Sequence, residues 1–144
     1  MKIKLLLCLL ILGITSCETS EETQVYELRN TRWKVVCFNE DSEVQNAPSN
    51  SESVELVFRG DSMISLSNCC NFHSAKYAVK ENNFIEIKEP SAMTLMLCGD
   101  EENKWQDILL SHLPNAESYQ IERNVLTIHA QGGKLVFRYV SELR

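Results

Sequence analysis

Cys69, Cys70, Asn71 and His73 fall within one short stretch, "SNCCNFHSAKY", and Cys98 closes a second one, "TLMLC". Thiolates and imidazoles bind zinc, an exposed thiol of low pKa does redox chemistry, and paired thiols in an oxidising compartment act as staples. Adjacent cysteines do not fit the first two roles. They lack C-x-x-C spacing, and neighbours on an extended chain point to opposite sides. Disulfides with a turn histidine at His73 are therefore the favoured reading, and no metal or other cofactor is expected. No G-x-S-x-G elbow occurs, and nothing ties the Ser, His and Asp residues into a triad, so the chain is not expected to be an enzyme.

The elements that must position these residues are mostly strands. "TRWKVVCF" (31–38), "SVELVFR" (53–59), "SMISLSNCC" (62–70), "KYAVKE" (76–81) and "NFIEIKE" (83–89) alternate with period two, as do "SYQIER", "VLTIHA" and "KLVFRYV" near the C-terminus. Gly60-Asp61, Asn82-Asn83, Arg123-Asn124 and Gly132-Gly133 supply hairpin turns, so the "RGD" at 59–61 reads as a turn and not as an adhesion tripeptide. Between the two groups of strands, Trp105, Ile108, Leu109, His112 and Leu113 form one helical stripe. Asp100 is expected as its N-cap and Pro114 as its stop. His112 then packs on the stripe and His129 lies on an exposed strand face. Residues 39–52 show no period and are expected to be irregular surface loop. Five strands, a helix and three strands predict an α+β domain: an antiparallel curled sheet of about eight strands, shaped as a half-barrel, with one amphipathic helix packed on it.

The chain opens with a basic head at Lys2 and Lys4, an apolar run from Leu5 to Ile14, and small polar residues before Cys17. The pattern is that of a secretion signal, and the run is too short to span a membrane. "ITSC" resembles the bacterial lipobox, which implies cleavage before Cys17 and its acylation. The expected organisation is a signal peptide over 1–16, a lipidated Cys17 with an acidic tether over 17–30, and one domain over 31–141. Losing Lys2 and Lys4 with the signal takes the formal charge from −6 to −8, which argues against nucleic acid and anionic lipid as partners. The membrane is then held through acyl chains. A protein partner or a small hydrophobic ligand in the half-barrel mouth remains open. The expected location is the bacterial cell envelope, with the outer membrane favoured, on its periplasmic face or at the surface.

Alternation along 62–70 puts Cys70 on the same face as Ile64 and Leu66, and Cys69 on the other, so each needs a different mate among Cys37 and Cys98. Here "CNFHSAKY" resembles the C-N-x-x-x-G-x-Y signature of the META domain, the family of HslJ-like envelope lipoproteins, and "TLMLC" resembles its T-x-M-x-C. The helix, the closing "SYQIERNVLTIHAQGGKLVFRYV" and the opening "TRWKVV" are also similar to the family pattern. Ala75 stands where the family usually has Gly, and Cys69 where a Gly precedes C-N. The resemblance implies Cys70, Asn71, Tyr77, Thr94, Met96 and Cys98 as signature positions and a Cys70–Cys98 bridge, which leaves Cys37 and Cys69 for each other. Asn71 is expected to bond the backbone of its own turn. The resemblance further implies a non-enzymatic accessory role in envelope integrity or stress tolerance. A thiol-redox or metal-binding protein is the third reading.

Overall fold

The computed structural model describes residues 27–40, 43–47, 54–68 and 71–143. The signal, Cys17, most of the tether, Cys69 and Cys70 lie outside the described residues. The strands run β1 (Thr31–Glu40), β2 (Glu43–Asn46), β3 (Val54–Arg59), β4 (Met63–Asn68), β5 (Phe72–Val79), β6 (Ile85–Ile87) and β7 (Ala92–Met93); then come α1 (Asp100–His112), β8 (Ala116–Glu122), β9 (Val125–Ala130) and β10 (Gly133–Glu142). Eight of them pair antiparallel in the order β6-β5-β4-β3-β1-β10-β9-β8, and an isolated bridge between Phe84 and Ser118 draws the two ends together. The result is a nearly closed half-barrel with one helix packed on it.

The expected turns form with left-handed residues at Gly60, Asn82, Asn83, Arg123 and Gly132. Inward residues on alternating positions build the core: Trp33, Phe38, Leu56, Phe58, Leu126, Ile128, Leu135 and Phe137 are fully enclosed, and Trp105 and Leu109 of α1 close the barrel from one end. Each such side chain contributes about 2–3 kcal/mol by leaving water. The fold also reaches back before residue 31, because Leu28 is buried in the core and its carbonyl accepts from the Thr31 hydroxyl.

Two short strands were not expected. β2 lies inside the segment read as irregular loop and pairs with β1, and β7 pairs with His73 and Ser74 of β5. β2 is Glu-Val-Gln-Asn, too short and polar to show a period. At the helix start Gly99, not Asp100, is the N-cap, and the Glu102 carboxylate folds back over it. Pro114 falls in the 3₁₀ turn Leu113–Asn115 that ends the helix.

One bulge matters for the cysteines. β1 pairs Val35 with Phe137 and then Cys37 with Val136, so Val36 is the extra residue. The slip turns Phe38 inward, where it is buried, and leaves Cys37 on the outer side.

Candidate functional site

Asn71 enters β5 with its side chain buried, and its amide is the centre of the signature residues. Oδ1 accepts from Met96 N at 2.8 Å and from Thr94 Oγ1 at 3.1 Å, while Nδ2 donates to Met96 O at 3.3 Å, Gln106 Oε1 at 3.1 Å and Cys98 Sγ at 3.1 Å. The amide thus bonds both the N–H and the C=O of Met96, as a facing strand would. It lengthens the β5–β7 ladder by one rung. Thr94 adds a second tie, donating its N–H to Phe72 O at 3.0 Å and accepting from Phe72 N through Oγ1 at 2.9 Å. Among the described residues the amide reaches a partner 25 residues along the chain, because the loop after β7 passes directly over it.

Cys98 is disulfide-bonded, and its partner lies outside the described residues. Cys37 carries a free thiol, which overturns the expected Cys37–Cys69 bridge. Across the sheet its partners are Asn46 of β2 and Val136 of β10, so no cysteine faces it there. Burial pushes the Cys37 thiol above its ordinary pKa, the opposite of redox activation.

His73 is enclosed behind Asn71, and its Nε2 lies 3.3 Å from Gln106 Oε1. Gln106 Oε1 accepts from Asn71, so it accepts from His73 as well, which makes Nε2 the protonated nitrogen. Nδ1 is buried without a partner among the described residues, and the ring lines a cavity of about 20 Å³ with Leu56, Ile64, Leu66 and Leu113. That space holds no more than about one water. Gln106 escaped the sequence reading, since a lone Gln beside the apolar stripe carries no signal. His112 is held as expected, with Nδ1 at 2.8 Å from Ile108 O and its ring against Phe38. Among the described residues no three His, Cys, Asp or Glu side chains converge as for a metal.

Tyr77 serves the opposite end of the barrel. Its hydroxyl donates to Gly60 O at 2.6 Å, and Asn30 Oδ1 accepts from Gly60 N at 2.8 Å, so the β3–β4 turn is held from both sides. Burial first, and the Asp61 carboxylate second, raise the Tyr77 pKa. Asp61 itself pairs with Arg29 at 3.1 Å. Beside this turn an open pocket of about 600 Å³ is lined by the polar Glu27, Arg29, Asp61 and Asn83 together with Leu28, Val79, Tyr119 and Ile121.

A helix-capped antiparallel half-barrel, with an Asn-centred clamp on a cysteine-bearing loop, defines a small α+β domain. The chain belongs to the META domain family, whose model matches residues 26–142. The fold is also similar to a solution structure of a protein from Burkholderia xenovorans, at 19% identity and a TM-score of 0.60, covering 80% of this chain and 85% of that one. A second likeness is to a crystal structure of a duf4847 family protein from Bacteroides vulgatus, at 13% identity and a TM-score of 0.55, covering 76% and 92%. At these identities the likeness concerns the fold alone. Among curated proteins none matches this chain.

Proposed function

We propose that this chain is a non-enzymatic, lipid-anchored cell-envelope protein, held to the membrane by acyl chains on Cys17, with an accessory role in envelope integrity or stress tolerance. The observation that carries the non-catalytic part is how the signature residues are used. Asn71, Thr94, Gln106 and Cys98 spend their bonding capacity on one another and on the loop backbone. Such a constellation positions a loop and leaves no aligned nucleophile and base. The anchoring part rests on the lipobox-like "ITSC". Both ends of the domain lie on the same side, since Leu143 donates its N–H to Asn30 O at 2.7 Å, so the tether joins the barrel at the end that carries the Gly60 turn.

The test is fatty-acid labelling and fractionation of the chain beside Cys17→Ala. Label lost and protein released to the soluble fraction, with an unchanged melting curve, is the expected result. A Cys17→Ala protein that stays in the membrane would remove the anchoring half of the proposal.

A second reading rests on the open pocket of about 600 Å³, where Leu28, Val79, Tyr119 and Ile121 would take the apolar part of a small hydrophobic ligand and Glu27, Arg29, Asp61 and Asn83 would meet its polar end. Displacement of a fluorescent fatty acid, abolished by Tyr119→Ala, would support it; absence of any saturable signal would discard it.

A further inference from the structure

The loop that the clamp holds is apolar and exposed. Leu95 is 84% and Leu97 104% exposed, and Met93, Met96 and Phe72 are exposed beside them. Single exposed hydrophobics are ordinary, whereas a contiguous row marks an interaction surface. This row is not a slack loop, because Thr94 and Met96 are tied to β5 and Asn71, and Cys98 is bridged.

The backbone adds a second property. Thr94 and Met96 bond toward β5, and bonding at every second residue is the pattern of an extended strand. The N–H and C=O of Leu95 and Leu97 then point away from the sheet, and among the described residues neither has a partner. The two ends of the main sheet meet at the Phe84–Ser118 bridge, and β2 at the other exposed edge is polar. Residues 93–97 are therefore an apolar edge on which Leu95 and Leu97 turn their donors and acceptors outward.

Its surroundings select the occupant. Lipid is a poor match, because hydrocarbon offers nothing to the outward peptide groups of Leu95 and Leu97. A second copy would bring two sets of the same carboxylates together, since exposed Glu89, Asp100 and Glu101 border the row. Lys88, which precedes the row in the chain, is engaged with Glu86. We infer that residues 93–97 dock an extended apolar segment of another protein, bordered by lysine or arginine, which adds to β7 as a further strand. Main-chain bonds to Leu95 and Leu97 give the affinity, and the acidic border selects the charge. This deepens the proposed accessory role and is independent of the anchor at Cys17.

The experiment uses the full chain with Cys17→Ala, so that no acyl group contributes. The probes are two synthetic peptides of alternating Val and Thr, one closed at each end by two lysines and the other by two glutamates. Saturable binding of the lysine peptide alone, weakened by salt, is expected. Leu95→Pro removes the outward N–H where an edge tolerates proline, and should weaken binding about tenfold with the melting curve kept. Leu95→Lys with Leu97→Lys should abolish it. Equal binding of both peptides, no saturable binding, or indifference to Leu95→Pro overturns the inference. So does a dimer by sedimentation, or flotation with phosphatidylcholine vesicles, that Leu95→Lys with Leu97→Lys removes. Loss of anchoring by Cys17→Ala leaves all of these readouts in place, so the two proposals fail separately.

Discussion

Asn71→Ala tests the clamp most directly. The amide has bonds of 2.8 to 3.3 Å to Met96 N, Met96 O, Thr94 Oγ1 and Gln106 Oε1, apart from its contact with sulfur. Each is worth about 1 kcal/mol net, and the exposed Met96 backbone regains water when the amide is removed, so the expected loss is about 2–4 kcal/mol. For a domain of this size that lowers the melting temperature by roughly 8–16 °C. Asn71→Asp separates the two halves of the amide. It keeps the acceptor that serves Thr94 and Met96 N, and replaces the donor facing Met96 O and Gln106 Oε1 with an oxygen. A carboxylate there meets acceptors in a buried site, so its folded pKa rises above the unfolded value of about 3.9. The ionised form is the one the fold rejects. Stability is therefore retained below about pH 4 and lost as pH climbs toward the folded pKa. Thermal melts followed by circular dichroism should show Asn71→Asp close to the natural protein near that pH, and down by a further 1–3 kcal/mol, about, at neutral pH. An equal deficit at both pH values, or an Asn71→Ala melt within about 2 °C of the natural protein, would refute the clamp.

Cys98→Ser should cost about 3–4 kcal/mol in the chain-entropy account if the bridge closes to Cys70, and mass spectrometry of alkylated protein should show the former partner as a new thiol. Cys37 should alkylate more slowly than a thiol in unfolded chain. Because its folded pKa is raised, its contribution to stability is complete below about pH 8.5 and declines as pH rises past that value; rapid labelling of the native protein at neutral pH would contradict this. Gly133→Ala should destabilise by about 1–3 kcal/mol, as a Cβ there would stand 2.6 Å from Asn39 O and from the Phe38 ring. Gly60→Ala, with open space around it and φ +57, should cost only about 1 kcal/mol of backbone strain, and paired denaturant melts distinguish the two.

The barrel strands and the helix were legible because their apolar residues repeat at two and at 3.6, and the turns because Gly and Asn accept positive φ. What escaped was non-local or sub-periodic. The bulge at Val36 has no sequence signature, yet it reverses the faces of Cys37 and Phe38 and so decides which of the two enters the core. The resemblance singled out Asn71, Thr94, Met96 and Cys98, but the bond between Asn71 and Met96 spans 25 residues and cannot be read from either stretch alone. Gln106, which completes the cluster, and β7, only two residues long, had nothing to announce them.

The strand order has a consequence for how the chain comes together. β1 is made first among the strands, and it must pair with β3 on one side and with β10, the last strand made, on the other. Two runs of local hairpins, β3 to β6 and β8 to β10, can form early, but neither completes a sheet until the oldest and youngest segments meet. Such long-range pairing is slow, and it withholds the final structure from a chain still being synthesised. A nascent molecule stalled anywhere before Gly133 would lack the β10 neighbours of Trp33 and Val35. Its sheet would stay open, and only release of the full length would commit it to its final shape.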